Sequence, residues 1–406
     1  MSTQKQSAAT VREVITFNYI CSECGVRFNI EPGRYVCALC SERQADNQPL
    51  CGVLEVELQG TAVGNDRDIG KLLPVDKRFF PSIPVGNTPL WEPDALRAEL
   101  GFDALYIKDD GANPTSSFKD RASYLVSAFA KQYGIDTIVV ASTGNAGSSM
   151  AGIGAAAGQK VILFLPKTAP SAKLIQALQY GAIVHRVDGN YDQAYNLSLA
   201  YTQVVGGMNR NTAYNPMTIE GKKTVALELF RQLKKAPDVL FVGTGDGCIV
   251  AGVYKGFRDL KQLGCIEDIP QIFSVQSDTS DALYRAFKTG RFENLPTHTV
   301  ADSICVDVPR NGIHALNQLR AYGGKVITVS DEMILASQAR LSRSTGLFTE
   351  PASAAAFAGF LKVKSELPRN AVIVILATGN GLKDSTTAAR GIAVPERIIR
   401  SLDDIV

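Results

Sequence analysis

Lys119 ends the run Asn113-Pro114-Thr115-Ser116-Ser117-Phe118-Lys119, at a turn that leads into a helical pattern beginning Asp120-Arg121. A helix start disfavours positive charge, so a lysine there needs a reason. Covalent work is one: an amine of lowered pKa can hold an aldehyde cofactor. About one strand later comes Ala141-Ser142-Thr143-Gly144-Asn145-Ala146-Gly147, whose backbone N–H groups, at the start of the following helix, suit a substrate carboxylate. Two further glycine turns end apolar runs, Val242-Gly243-Thr244-Gly245-Asp246-Gly247 and Ala377-Thr378-Gly379-Asn380-Gly381. The first lets the main chain of Gly243, Thr244, Gly245 and Gly247 curl round a phosphate, with the dipole of the next helix behind it. Asp246 is not counted among the ligands; its carboxylate would repel the anion, so its side chain is expected to point away. A dinucleotide fingerprint is the competing reading, but its third glycine would stand one position later than here.

A second constellation lies near the N-terminus. Cys21-x2-Cys24 and Cys37-x2-Cys40 form two knuckles separated by 12 residues, and five of the eight cysteines fall between Cys21 and Cys51. Four thiolates on two tight turns suit tetrahedral zinc, and the lack of an open position makes the site structural. Tyr19-Ile20 and Tyr35-Val36 read as short strands entering the knuckles. His185, His298 and His314 share no ligand spacing and read as strand or surface residues, and no Ser-His-Asp set is visible.

These groups need elements to hold them. From about Ala104 the chain alternates short apolar runs with helical patterns. The strands expected are 105–108, 137–141, 161–165, 183–187, 239–242, 272–276, 326–329 and 372–377, with helices over 221–235, 248–263, 331–345 and 353–365. Near-continuous apolar strands joined by helices predict an α/β fold built on parallel sheets. In such folds ligands sit at the carboxyl ends of strands, where all three glycine turns fall. A chain of 406 residues suggests two domains or more. Net charge of +2 gives no argument for nucleic acid or an anionic membrane. No apolar stretch is long enough to span a bilayer, and the polar Met1–Arg12 segment lacks a signal-peptide core, so a cytoplasmic location is expected.

In order and context, these segments resemble the threonine synthase group of the fold-type-II pyridoxal-phosphate enzymes. The resemblance runs from Gly86-Asn87-Thr88-Pro89-Leu90 to Asp384, through Asn215-Pro216-Met217-Thr218-Ile219-Glu220-Gly221-Lys222-Lys223-Thr224 and Glu350-Pro351-Ala352-Ser353. It implies a tryptophan-synthase-β-like pair of α/β lobes with the cofactor between them. Residues 61–121 and 212–406 would form the large lobe, 122–211 the small mobile lobe, and 1–60 a ribbon-like segment. It implies that Lys119, beside Phe118, holds pyridoxal phosphate, that Asn145 donates to the ring hydroxyl, and that Thr378 meets the pyridine nitrogen. Ser142, Thr143, Asn145 and Ala146 would receive the substrate. The implied reaction converts O-phosphohomoserine and water into threonine and phosphate, in a homodimer. The alternatives are β-elimination or β-replacement on serine, threonine, diaminopropionate or a phosphorylated amino acid, and a cofactor-free ribbon protein acting as a binding module.

Two departures from the group stand out. Its members carry an arginine at the position of Thr218 that reaches the substrate phosphate. Here Lys222, four residues on and on the same helix face, is the candidate to replace it, the other reading being a solvated helix lysine. Ribbon-bearing members continue directly from the second knuckle into a Gly-Leu-Glu-Val-type strand. In this chain that strand follows Cys51, which makes Cys51 an alternative metal ligand to Cys37 or Cys40.

Overall fold

A computed structural model describes residues 15–60, 69–142, 144–167, 171–393, 395 and 398–401. Met1–Arg12 and Thr143 lie outside the described residues. In chain order the strands are β1 (Thr16–Cys21), β2 (Arg27–Phe28), β3 (Leu54–Gln59), β4 (Leu90–Trp91), β5 (Leu105–Asp109), β6 (Thr137–Ala141), β7 (Lys160–Pro166), β8 (Ile183–Val187), β9 (Met208–Asn209), β10 (Val239–Gly243), β11 (Gln271–Ser277), β12 (Lys325–Val329) and β13 (Ile373–Ala377). They make three sheets: β2-β1-β3, β12-β11-β10-β13-β5-β4 and β8-β7-β6-β9. The first is antiparallel; the six-stranded sheet is parallel apart from β4, and the four-stranded sheet is wholly parallel.

The central strands are apolar on both faces because helices cover both. Every residue of β10 and β13 is buried. Phe241 and Phe273 stack at 4.6 Å, with Phe360 edge-on to Phe241 at 5.7 Å. The chain lays down β4 and β5, leaves to build the four-stranded sheet, and returns with β10 to β13. On return β13 inserts between β10 and β5. Three neighbouring strands therefore end side by side, and they are the ones followed by the glycine turn at 243–247, the Thr378 turn and the loop leading to Lys119.

The expected helix over 221–235 is two helices, Met217–Lys222 and Thr224–Leu233. The first of them packs closely on the Lys119–Gln132 helix: a side chain at Gly221 would strike the backbone of Arg121 and Ala122. Among the described residues no helix is long and apolar enough to cross a membrane.

Candidate active site

Lys119 opens the helix Lys119–Gln132, and the turn before it is clamped to the end of β13. Phe118 N donates to Thr378 O at 2.8 Å, Asn380 N donates to Ser116 O at 3.1 Å, and Ser117 bridges Gly379. Ser116 takes a positive φ of 67°, which turns the chain into the helix. Asp120 is buried and accepts from both the backbone N–H and the hydroxyl of Thr115, so the loop is fixed from within. Phe118 is fully buried, whereas Lys119 is half-buried and its amine has no hydrogen-bond or ion-pair partner among the described residues.

Thr378 lies beside it. Its hydroxyl faces Ser353 Oγ at 3.2 Å, and Ser353 Oγ accepts from the backbone N–H of Thr378 and Gly379, each at 2.8 Å. Gly379 leaves room for the Glu350 carboxyl group: a Cβ there would lie 2.5 Å from its carboxyl carbon and push it aside. Glu350, just before the helix Pro351–Val363, makes no side-chain cap. Its carboxylate accepts from Asn145 Nδ2 at 2.9 Å and Ser303 Oγ at 3.2 Å. The amide N–H group is taken, and the free buried group is Oδ1, an acceptor. Glu350 thus belongs to the site, and the Glu-Pro signal at a helix start masked it.

The turn after β10 leads into the helix Cys248–Gln262, with Gly247 at φ 83°. Asp246 Oδ1 accepts from Cys248 N at 2.9 Å, so its carboxylate folds back on the helix start instead of simply pointing away. Thr244 N donates to Val275 O and Thr244 Oγ1 to Val242 O, which pins the turn to the sheet. After β6, Gly144 N donates to Ser142 Oγ, and the helix Asn145–Ala157, which includes Ala146, has no side-chain cap over its first N–H groups.

Thr218 is buried and spends its hydroxyl on Asn215 O and Ala213 N, as a local turn lock. Lys222 is fully buried, not solvated. Its amine donates to Thr218 O at 3.2 Å and to Cys248 Sγ at 3.1 Å, and burial lowers its pKa. The neighbouring Lys223, equally buried, pairs with Glu220 and with Asp259 at 2.8 Å. Sequence reasoning missed Arg210, which follows β9 and is also fully buried. A lone arginine at a strand end carries no signal that separates it from a surface one.

The thiols of Cys21, Cys24, Cys37 and Cys40 all lie within 4.8 Å of one another, and Cys51 is outside that group. The alternative in which Cys51 replaces Cys37 or Cys40 is therefore set aside. Cys21 ends β1, whereas Cys37 and Cys40 bracket the start of the short helix Ala38–Ser41, so the expected strand at Tyr35-Val36 is reduced to a single bridge from Val36 to Val53. His314, expected on a strand or surface, is a buried helix residue, 3.3 Å from the Glu55 carboxylate.

The family model for pyridoxal-phosphate-dependent enzymes matches residues 82–379. The threonine synthase of Methanocaldococcus jannaschii is 34% identical over 93% of this chain and 96% of its own. That of Methanosarcina acetivorans is 33% identical over 95% and 96%. Among solved structures, maize serine racemase superposes with a TM-score of 0.66 at 21% identity, over 74% of this chain and 90% of that one. The processed form of threonine deaminase isoform 2 from Solanum lycopersicum also gives 0.66 at 21%, over 81% and 90%. A likeness at that identity speaks for the fold, while the two synthases match nearly end to end. With the lysine loop, the glycine turn and the Thr378 turn converging at the ends of β5, β10 and β13, the chain belongs to the threonine synthase family of pyridoxal-phosphate-dependent enzymes.

Proposed function

We propose that the protein converts O-phosphohomoserine and water into threonine and inorganic phosphate. The observation that carries this is the unpartnered amine of Lys119 at the junction of three strand ends, beside the threonine synthase likeness along nearly the whole chain. The site fits pyridoxal phosphate. A free lysine amine, an orphaned Asn145 Oδ1, the Thr378 hydroxyl and the turn at Gly243, Thr244, Gly245 and Gly247 match its aldehyde, ring hydroxyl, ring nitrogen and phosphate. When bound, the cofactor supplies an electron sink for the carbon skeleton. Lys119 is placed to take the proton from the α carbon and then one from the β carbon. The phosphate leaves from the γ carbon with the electron pair of its C–O bond, water adds its hydroxyl at the β carbon, and protons return to the γ carbon, which becomes the methyl group, and to the α carbon. Ser142, Asn145 and Ala146, at an uncapped helix start, would receive the substrate carboxylate together with Thr143. Glu350 holds Asn145 and keeps its acceptor aimed.

Lys119→Ala is expected to abolish turnover while leaving the melting temperature close to wild type. Borohydride reduction followed by peptide mapping should label Lys119, and label on any other lysine would sink the assignment.

The reading gives Lys222 the substrate phosphate, as a point charge in place of the arginine absent at Thr218. Its complete burial without a carboxylate partner supports this. Lys222→Gln should lower the specificity constant for O-phosphohomoserine roughly ten- to a hundredfold, as for the loss of one charge-assisted contact, and spare unphosphorylated threonine. Equal losses on both substrates would remove Lys222 from that role.

A structural Zn²⁺ on Cys21, Cys24, Cys37 and Cys40 is the second part of the reading. Tetrahedral zinc–thiolate geometry sets sulfur atoms about 3.8 Å apart, and Cys21–Cys40 and Cys24–Cys37 stand at 3.8 and 3.7 Å. A cytoplasmic homodimer completes it, supported by the family resemblance and testable by light scattering.

A further inference from the structure

The described buried cations divide into two groups. Lys108 pairs with Glu228, Arg121 with Asp110 and Glu228, and Lys223 and Lys255 with Asp259. Arg210 and Lys222 are as deeply buried, yet neither has a carboxylate within salt-bridge reach among the described residues. Arg210 Nε donates to Ser123 Oγ at 3.3 Å and Nη1 to Thr212 Oγ1 at 3.1 Å, while Nη2 has no partner. Burying a cation without a counter-charge is costly. Two such cations near each other raise that cost, since their charges act on one another, and Lys222 also feels Lys119.

Their positions point to what they serve. Arg210 follows β9, which lies beside β6 in parallel, so it emerges at the carboxyl end of that sheet, next to the Ser142–Asn145 turn. Its contact Ser123 is one helical turn after Lys119, on the same helix face. Lys222 reaches Cys248, the first residue of the helix behind the glycine turn. The helix carrying Lys222 packs against the Lys119 helix at Gly221 and against the glycine-turn helix at Gly252. The two cations therefore lie on segments packed around the Lys119 helix, Arg210 touching it at Ser123 and Lys222 on the helix set against it at Gly221.

We infer that Arg210 and Lys222 form one anion site for a tetrahedral oxyanion, the ester phosphate of the substrate, with Arg210 supplying the directional contact and Lys222 a point charge. The free Nη2 of Arg210 offers donors, whereas the Thr218 hydroxyl is spent on Asn215 O. The inference rests on the phosphorylated substrate proposed above.

The test uses holoenzyme loaded with pyridoxal phosphate, so that the glycine turn is already filled. Wild type, Arg210→Met and Arg210→Lys are titrated with inorganic phosphate by calorimetry and with unphosphorylated L-threonine by cofactor absorbance. Inorganic phosphate should bind wild type, and Arg210→Met should weaken it roughly ten- to a hundredfold. Arg210→Lys should recover part of the loss, and threonine binding should not change. In phosphate-free buffer Arg210→Met should not lower the melting temperature, because it removes an uncompensated buried charge. Phosphate binding equal in wild type and Arg210→Met, no binding to wild type, or an equal loss for threonine overturns the site. Inorganic phosphate should compete with O-phosphohomoserine; non-competitive inhibition would assign the site to a free oxyanion and overturn the ester assignment. Failure of wild type to form threonine defeats the proposed reaction alone, because the phosphate titration still reports on Arg210.

Discussion

Ser353 shows how one hydroxyl can hold a site in place. It accepts from two backbone N–H groups of the turn after β13 and faces Thr378 Oγ1. Ser353→Ala would leave both buried donors without an acceptor, at about 1–3 kcal/mol for each unsatisfied group. The Thr378 hydroxyl would also lose its neighbour. A lower melting temperature and faster loss of cofactor absorbance on dilution are expected; a variant matching wild type in both would show that the turn is held by other contacts. Residue types pointed to Lys119 and the glycine turns, because lysine at a helix start and glycine turns at strand ends are unusual placements with few explanations, and the family resemblance added Asn145 and Thr378. Glu350 and Arg210 had no such mark. What singles them out is burial and the partners they have or lack, and both are properties of packing.

The ribbon is the element whose place in the molecule was least evident from its residues. Tyr19, Cys21, Cys37 and Cys40 join one core cluster with Leu125, Phe129 and Met150, from the helices Lys119–Gln132 and Asn145–Ala157. On the other side Glu55 pairs with Arg258 at 2.8 Å and with His314. Tyr35 stacks on Tyr214 at 4.7 Å and accepts from Asn209 N, next to Arg210. The ribbon thus braces the segment that carries the unpaired arginine, while no described contact joins it to the Lys119 or Thr378 turns. Chelation or Cys24→Ser should therefore destabilise the N-terminal segment to proteolysis and leave the cofactor spectrum largely unchanged. Freshly reduced protein that contains no zinc by elemental analysis would count against the four-thiolate centre.

Across the whole molecule, buried ion pairs tie the elements around the site together. Glu228 receives both Arg121 and Lys108, joining the Lys119 helix, β5 and the helix Thr224–Leu233. Burial alone would raise its carboxyl, but these two cations hold it far below the ordinary carboxylate range, and Arg258 and His314 do the same for Glu55. A depressed folded-state pKa adds stability that is complete above the unfolded value of about 4.3 and is lost as pH falls toward the folded one. Melting temperature should therefore drop below about pH 4.3, and less steeply in Glu228→Gln. At neutral pH Glu228→Ala should cost about 3–5 kcal/mol, because buried Lys108 loses its carboxylate and buried Arg121 keeps only Asp110. By itself, the sequence determined the α/β class, most strand positions, the lysine and the glycine turns. Those follow from local periodicity and from backbone geometry that few residue types tolerate. Tertiary structure decided that β13 lies between β10 and β5, that Cys51 stays outside the thiol cluster, and that Lys222 and Arg210 are buried without counter-charges. Each of those depends on which distant segments share a surface, and that is set by packing across the whole chain rather than by the spacing of neighbours along it.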